Sequence, residues 1–372
     1  VKNVLKKILV RIILSLNLFF VGVLFISYIS PLVSPEKLWI FAFFGLAYPY
    51  ILFANIVFAV YWGIIKKRYF LISLIAILIG WGQLRKYFQV QVIKRKVPPA
   101  SLHFKIMTYN VRLFDHYKWL GDTAAEKNIF SFIHNEKPQI ICFQEYLPPK
   151  YAGISNDDFI NDLEGSSYNH INYISLYPEG NSIGIATFSS FPIINKGYIR
   201  FENSVNTAIY SDIEVNSDTI RVYNCHLQSI HLKKSNYGFI DSLILKYNNK
   251  HIDELKDISS RLKNAYIKRA IQVDILSAHI KSSRYPVVVC GDFNDTPISY
   301  TYRKMKGRLR DAFVKSGRGI GNTYLGNFPS FRIDYIFHSK KLKSCNFETE
   351  EIKWSDHYPV TCEIIIKQKE DY

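Results

Sequence analysis

Eight polar residues stand out by where they sit in the chain. Asn110 ends Met107-Thr108-Tyr109-Asn110, and Glu145 ends Cys142-Phe143-Gln144-Glu145. His226 lies in Asn224-Cys225-His226-Leu227, Asp292 and Asn294 in Gly291-Asp292-Phe293-Asn294-Asp295, and Asp334 in Arg332-Ile333-Asp334-Tyr335. Asp356 and His357 belong to Ser355-Asp356-His357-Tyr358-Pro359. Each follows or interrupts an apolar β-type run, which is how a sheet delivers scattered side chains to one mouth. Asn110 and Glu145, oxygen donors from separate strands, suit a hard cation such as Mg²⁺, with Mn²⁺ as the alternative. Such an ion takes one or two carboxylates and keeps waters for a substrate phosphate. Asp292 and Asn294 are two apart, and alternate residues of an extended segment point the same way. The pair suits positioning and deprotonating an attacking water. His357 offers an imidazole for a phosphoryl oxygen, and its neighbour Asp356 offers a carboxylate to the metal region. A carboxylate at Asp334 would hold the far ring nitrogen of His357 and fix its tautomer. Taken singly, each segment has a plain structural reading. Gly-Asp-Phe-Asn-Asp makes an Asx turn at a strand end, Asp-His-Tyr-Pro makes a loop before an edge strand, and His226 makes a hydrogen-bonded sheet histidine. Their joint occurrence, each at a strand end, has no packing explanation.

The elements that must carry these residues read as short strands among a few helices. Strands are expected at Phe104–Val111, Gln139–Phe143, Ser182–Phe188, Ala208–Val215 and Thr219–Leu227, the last two joined by a turn at Asn216-Ser217-Asp218. Pro286–Cys290, Phe331–His338, Lys343–Ile352 and Tyr358–Ile366 complete the set. Residues 123–136 and 252–280 read as helices, the second with apolar positions at Ile252, Leu255, Ile258, Leu262, Tyr266, Ile267 and Ala270. Residues 231–251 read as a polar insertion. The pattern predicts an α/β domain of two packed sheets with helices outside.

Residues 104–366 resemble the endonuclease/exonuclease/phosphatase superfamily, most specifically in Gly-Asp-Phe-Asn and Ser-Asp-His-Tyr-Pro. The resemblance implies a four-layered α/β sandwich related to deoxyribonuclease I, and Mg²⁺-dependent hydrolysis of phosphoester or phosphodiester bonds. It implies Glu145 as the main metal ligand, Asn110 beside the metal and a phosphate oxygen, and Asp356 completing the metal-side carboxylates. It further implies Asp292, helped by Asn294, as the group that activates water, His357 at the scissile phosphate and Asp334 orienting it. His226 matches a position that is a second histidine in the deoxyribonuclease-like branch. Asn181 or Ser182, before a segment resembling the family's central strand, would reach the phosphate. The sequence departs from the family where a polar substrate contact often follows the metal-binding glutamate by two residues; here that position is Leu147.

Residues 1–96 lie outside the resemblance. Runs 8–29, 38–65 and 69–84 are nearly continuously apolar, and the first two exceed the roughly 18–20 residues a bilayer crossing needs. Trp39, Tyr61, Trp62, Tyr69 and Trp81 sit near their ends like interface anchors. The expectation is a membrane region of about three helices in residues 1–96, a linker at Lys94–Pro99, and a catalytic domain in residues 97–372. The net charge of +16 invites a nucleic-acid reading, but residues 1–96 hold 13 Lys and Arg against the single acid Glu36, leaving only about +4 for the rest. Most of the excess therefore flanks apolar runs, where basic residues set orientation and meet anionic lipid. Lys2, Lys6, Lys7 and Arg11, with Lys66-Lys67-Arg68, would face the cytoplasm and put the catalytic domain outside it. Arg85, Lys86 and Lys94-Arg95-Lys96 argue the other way. Cys142, Cys225 and Cys290 read as small core hydrophobes, and Cys345 and Cys362 lie in adjacent strand-like runs, with pairing left open to an oxidising compartment.

Two substrate classes follow for such an integral, multi-pass enzyme. A nuclease needs a basic groove, for which Lys233, Lys234, Arg261, Lys263, Lys268 and Arg269, or Arg303, Lys304, Lys306, Arg308 and Arg310, are candidates. A lipid-headgroup phosphodiesterase would profit from a tether to the bilayer. A non-enzymatic binding module would be expected to have lost carboxylate and histidine positions, and Glu145, Asp292, Asp334, Asp356 and His357 are all present.

Overall fold

In the computed structural model the described residues are 2–91, 97, 101–117, 119, 121, 125–147, 168–175, 182–202, 204–230, 249–325 and 331–367. Most of the linker at 94–99, most of the polar insertion at 231–251, Asn181, Lys233 and Lys234 lie outside them.

Two six-stranded sheets face each other. The first has the order β13(Leu342–Thr349)-β14(Val360–Ile366)-β2(His103–Asn110)-β3(Ile140–Tyr146)-β5(Ser182–Ser189)-β4(Tyr168–Ser175). The second runs β10(Arg310–Asp311)-β12(Asp334–His338)-β9(Val287–Asp292)-β8(Asp218–His226)-β7(Thr207–Val215)-β6(Ile193–Arg200). Between them lies a hydrophobic core that includes Ile106, Cys142, Val222, Val288, Ile336 and Cys362. Helix Ala125–Glu136 lays Ile129 and Ile133 on the outer face of the first sheet. Helix Asn249–Lys281 does the same for the second with Val273, Leu276 and Ile280. The α/β expectation of two packed sheets with helices outside is what folds. All five cysteines are buried and free, and the Cys362 thiol donates to the Cys345 carbonyl, so this pair is a packing contact.

The register explains how distant residues converge. β2 and β3 are parallel, with Asn110 opposite Gln144, and β14 is antiparallel to β2, so His357 precedes β14 at the end where Asn110 stops. β8 and β9 are parallel, with His226 opposite Asp292, and β12 is antiparallel to β9, with Asp334 opposite Asp292. All of these residues are delivered to one end of the sandwich.

The N-terminal region packs against that same end. Helix α1(Lys2–Ile29) is long and apolar enough to cross a membrane. The second apolar run is broken. Helices Ile40–Leu46 and Tyr48–Ile64 meet at 58°, because Pro49 has no N–H to continue the ladder. The third is also broken, into Phe70–Ile79 and Trp81–Leu84. Its longer piece rises only about 15 Å against a hydrocarbon core of about 30 Å. α1, Tyr48–Ile64 and Phe70–Ile79 are joined by buried polar side chains: Asn17 donates to Ser73 Oγ (2.6 Å), Trp62 donates to Asn17 Oδ1 (3.0 Å), and Asn55 donates to the Phe20 carbonyl (3.1 Å). Their outward residues, such as Phe19, Phe53 and Ile64, are apolar and exposed.

Candidate functional site

The strand ends do not meet passively. At Glu145 the register of β3 against β5 shifts between Phe143 and Tyr146, and Glu145 has φ 50°. A bulge of this kind re-aims a side chain beside a site. Gly291, with φ 129°, brings the backbone of β9 against β8 so closely that a Cβ there would lie 2.0 Å from the Cys225 carbonyl oxygen. Asn294 has φ 53°, a conformation its short polar side chain tolerates. After Asn110 the residues Arg112, Leu113, Phe114 and Asp115 all carry positive φ, an unusual run that turns Arg112 back over the mouth.

The floor of the site is a chain of three side chains. His357 Nδ1 lies 2.9 Å from Asp334 Oδ2, and its Nε2 lies 3.8 Å from Asp292 Oδ2. All three are almost fully buried. Each brings a ligand-type atom to within 4.8 Å of the others, a group also compatible with a metal ion. Burial works against a charged His357, but the Asp334 and Asp292 carboxylates overcome it and hold the imidazole well above its ordinary value. Burial pushes the Asp292 carboxyl up to about 6, against the pull of His357. Asn294 fixes Asp292 through its backbone N–H (2.8 Å) and side-chain amide (3.0 Å), and the same amide donates to the Leu227 carbonyl. Asn110 Nδ2 bridges Asp292 Oδ2 (3.1 Å) and Glu145 Oε1 (3.2 Å).

The rim is wetter. Side-chain exposure rises from 1% at Asp292 to 34% at Glu145 and 26% at Asp356, which separates a desolvated floor from a mouth open to solvent. His226 Nε2 is 3.7 Å from both Glu145 and Asp292. Burial, and then the nearby Asp356 carboxylate, raise the Glu145 carboxyl. All eight residues singled out from the sequence therefore sit at this one end. Ser182 begins β5, and Leu147 is buried in the core of the first sheet.

Several residues of the site were given no role from the sequence. Arg112 pairs with Asp356 (3.4 Å) and stacks on Trp119 (4.6 Å to the ring centroid), supplying a cation at the mouth where Leu147 does not. Its position two residues after Asn110 is the only cue. Ser355 Oγ donates to the Asn110 carbonyl (2.7 Å) and so ties the His357 loop to β2. Thr323 Oγ1 accepts from the backbone of Ile333 and Asp334, and Tyr324 pairs with His357. Gln144 donates to Asn224 (2.7 Å), linking the two sheets beneath the floor. Four of the basic residues suggested for nucleic acid are engaged elsewhere. Arg269 is buried against Asp295, Arg261 pairs with Asp257, Lys304 with Asp274, and Lys263 lies over Trp39.

Known proteins share this fold. A domain family of unknown function matches residues 10–87. No curated protein matches the chain. Similar solved structures include an endonuclease/exonuclease/phosphatase from Beutenbergia cavernae, with 16% identity, TM-score 0.52, and 71% of this chain and 72% of that one covered. A family protein from Bacteroides thetaiotaomicron has 15% identity and TM-score 0.52, covering 72% and 99%. The human Nocturnin catalytic domain has 18% identity and TM-score 0.50, covering 73% and 100%. At these identities the likeness is one of fold. The Endonuclease/Exonuclease/phosphatase family matches residues 107–357, and the chain belongs to that family.

Proposed function

We propose that the protein is a membrane-anchored hydrolase of phosphoester or phosphodiester bonds that works with a divalent cation. The observation that carries the reading is the buried Asp334–His357–Asp292 chain opening on a rim of Glu145, Asp356, Asn110, His226 and Arg112. The rim fits a hard cation. Glu145 and Asp356 are oxygen donors, and the Glu145 carboxyl, raised by burial and then by the Asp356 carboxylate, is one whose charged form a cation favours. Glu145 and Asp356, with Asn110 beside them, would hold Mg²⁺ or Mn²⁺, which would supply charge stabilisation to a phosphoryl oxygen. Asp292, held by Asn294, accepts a proton from the attacking water as its oxygen bonds to phosphorus. His357, kept charged and oriented by Asp334, donates a hydrogen bond to a non-bridging phosphoryl oxygen, with Arg112 beside it. The bond to the departing oxygen breaks in line with the attack, and that oxygen is reprotonated from solvent at the open mouth.

The full chain should hydrolyse a bis-aryl phosphodiester with added Mg²⁺ or Mn²⁺ and lose that activity on chelation. Asp292→Ala should reduce it at least about 10³-fold. Activity surviving in Asp292→Ala would remove the assignment.

The anchoring reading rests on α1 and on the antiparallel packing of α1 with Tyr48–Ile64, in which Asn17 meets Trp62 and Leu24 meets Ile51. This places Lys2, Lys6, Lys7 and Arg11 at the same end as Lys66-Lys67-Arg68, away from the catalytic domain. By the positive-inside rule the catalytic domain is then extracytoplasmic, which takes three crossings, the third made by Phe70–Ile79 together with Trp81–Leu84. Lys86 does not oppose this, because it bonds Gln83 and lies 4.9 Å over the Tyr302 ring, at the domain interface. In intact cells an impermeant maleimide should label Lys353→Cys and spare Lys66→Cys. The reverse pattern would invert the topology.

A further inference from the structure

The loop leaving the catalytic carboxylate enters the helical bundle. Six residues after Asp292, Ile298 is fully buried among Leu24, Tyr48, Ile51, Leu52 and Ala76. Gly45 packs so closely there that a Cβ would lie 2.1 Å from the Ile298 carbonyl oxygen. Phe43 meets Tyr266 of helix Asn249–Lys281 at 5.8 Å between ring centroids. Six residues of chain reach at most about 20 Å. Asp292 is therefore tied, within that reach, to the bundle end that receives Ile298, and the reactive end of the sandwich is the end that meets the bundle. If the bundle lies in a bilayer, the site opens at headgroup level.

The cleft itself has an apolar side. A cavity of about 240 Å³ runs from Glu145 and His226 between Leu113, Trp119, Ile174, Ile183, Ile185 and Val205. Its volume corresponds to about eight water volumes. At its mouth Trp119 and Val205 remain 44% and 43% exposed, and Tyr117 lies 5.1 Å from Trp119 between ring centroids. Exposed aromatic and aliphatic residues beside a phosphate site are costly in water and favourable at a lipid interface. A polyanion would instead need a track of free cations, and Arg261, Lys263, Arg269 and Lys304 on the second sheet's helices are committed to Asp257, Trp39, Asp295 and Asp274.

We infer that the substrate is a lipid phosphoester presented from the bilayer. Its phosphate sits at Asp292, His357 and Glu145, and the apolar part next to the phosphate lies in the groove of Leu113, Trp119, Ile183 and Val205. Hydrolysis is the same as above: water adds to phosphorus, Asp292 takes its proton, and the P–O bond to the departing alcohol breaks. This rests on the phosphoesterase reading, so the test separates the two. The detergent-solubilised full chain is given four substrates with Mg²⁺: a soluble bis-aryl phosphodiester, plasmid DNA, RNA, and vesicles of phosphatidylethanolamine, phosphatidylglycerol and sphingomyelin. The expected result is kcat/KM on at least one vesicle lipid 10-fold or more above either nucleic acid. Val205→Asp and Trp119→Ala should each reduce the ratio of lipid to aryl phosphodiester turnover by 10-fold or more. Aryl turnover without lipid preference, or a ratio unmoved in both variants, overturns the lipid assignment and leaves the phosphoesterase standing. Preferential, steeply salt-sensitive cleavage of nucleic acid also overturns it. Absence of all four activities removes both.

Discussion

At the scale of single residues, the most consequential contact is the one between His357 and Asp334. The bond is 2.9 Å long and buried, so it sets which ring nitrogen faces the reaction. Asp334→Asn preserves shape but removes the charge that holds the imidazole protonated. It should lower kcat about 10²–10⁴-fold with little change in KM, measured on a soluble phosphodiester. Arg112 is a different kind of contact, a cation at the rim shared between Asp356 and Trp119. Arg112→Gln should cost about 10–100-fold in kcat/KM, the worth of one charge-assisted hydrogen bond. The acidic and imidazole groups were legible in the sequence because each interrupts an apolar strand. Arg112 was not, because a cation beside a loop looks like any solvated surface charge until the left-handed turn after Asn110 folds it over the mouth.

At the scale of elements, the parallel pair β8–β9 depends on the absence of a side chain at Gly291. Gly291→Ala adds a Cβ that collides with the Cys225 carbonyl at a φ of 129°, so the strands must part next to Asp292. The variant should lose several kcal/mol of stability, at the upper end for point changes, visible as a lowered denaturant midpoint. A second element-level effect is acid sensitivity at the β12–β13 junction. His338 bridges Ser339 and Ser344, and burial lowers it to about 4. The unfolded imidazole titrates near 6.5, so below that pH the unfolded chain takes up a proton the folded one refuses. The stabilisation is complete above about pH 6.5 and is lost as pH falls toward 4, up to about 3 kcal/mol at this site. Between pH 7.5 and 4.5 the wild type should lose about 2–3 kcal/mol more than His338→Gln. The central strands were readable from their apolar runs. The edge strands β4 and β6 were not, because one face of each meets solvent and residues such as Asn169, Asn172, Asn195 and Lys196 break the pattern.

At the scale of the whole molecule, the N-terminal region and the sandwich are joined by buried polar contacts as well as by Ile298. Arg332 pairs with Asp311 (2.8 Å), donates to the Lys86 carbonyl (2.9 Å) and is essentially fully buried. Strand β1(Phe88–Gln89) pairs with β11(Gly319–Ile320) beside it. Removing one partner strands a buried charge, so Arg332→Ala should cost about 3–5 kcal/mol. The double variant Arg332→Leu with Asp311→Leu should recover much of that loss in a thermal or denaturant melt. Equal damage in the single and double variants would show that the pair acts through shape alone. By itself the sequence singled out the eight polar residues that converge at one end, the α/β layering and the apolar character of the N-terminal runs, because type, spacing and periodicity are local properties. The break of the second apolar run is a local property as well, set by Pro49. Only the tertiary structure decided that Arg112 joins the site. It alone decided that the reactive end of the sandwich is the end docked on the bundle. Those outcomes depend on backbone turns and on contacts between segments hundreds of residues apart, for which no local pattern exists.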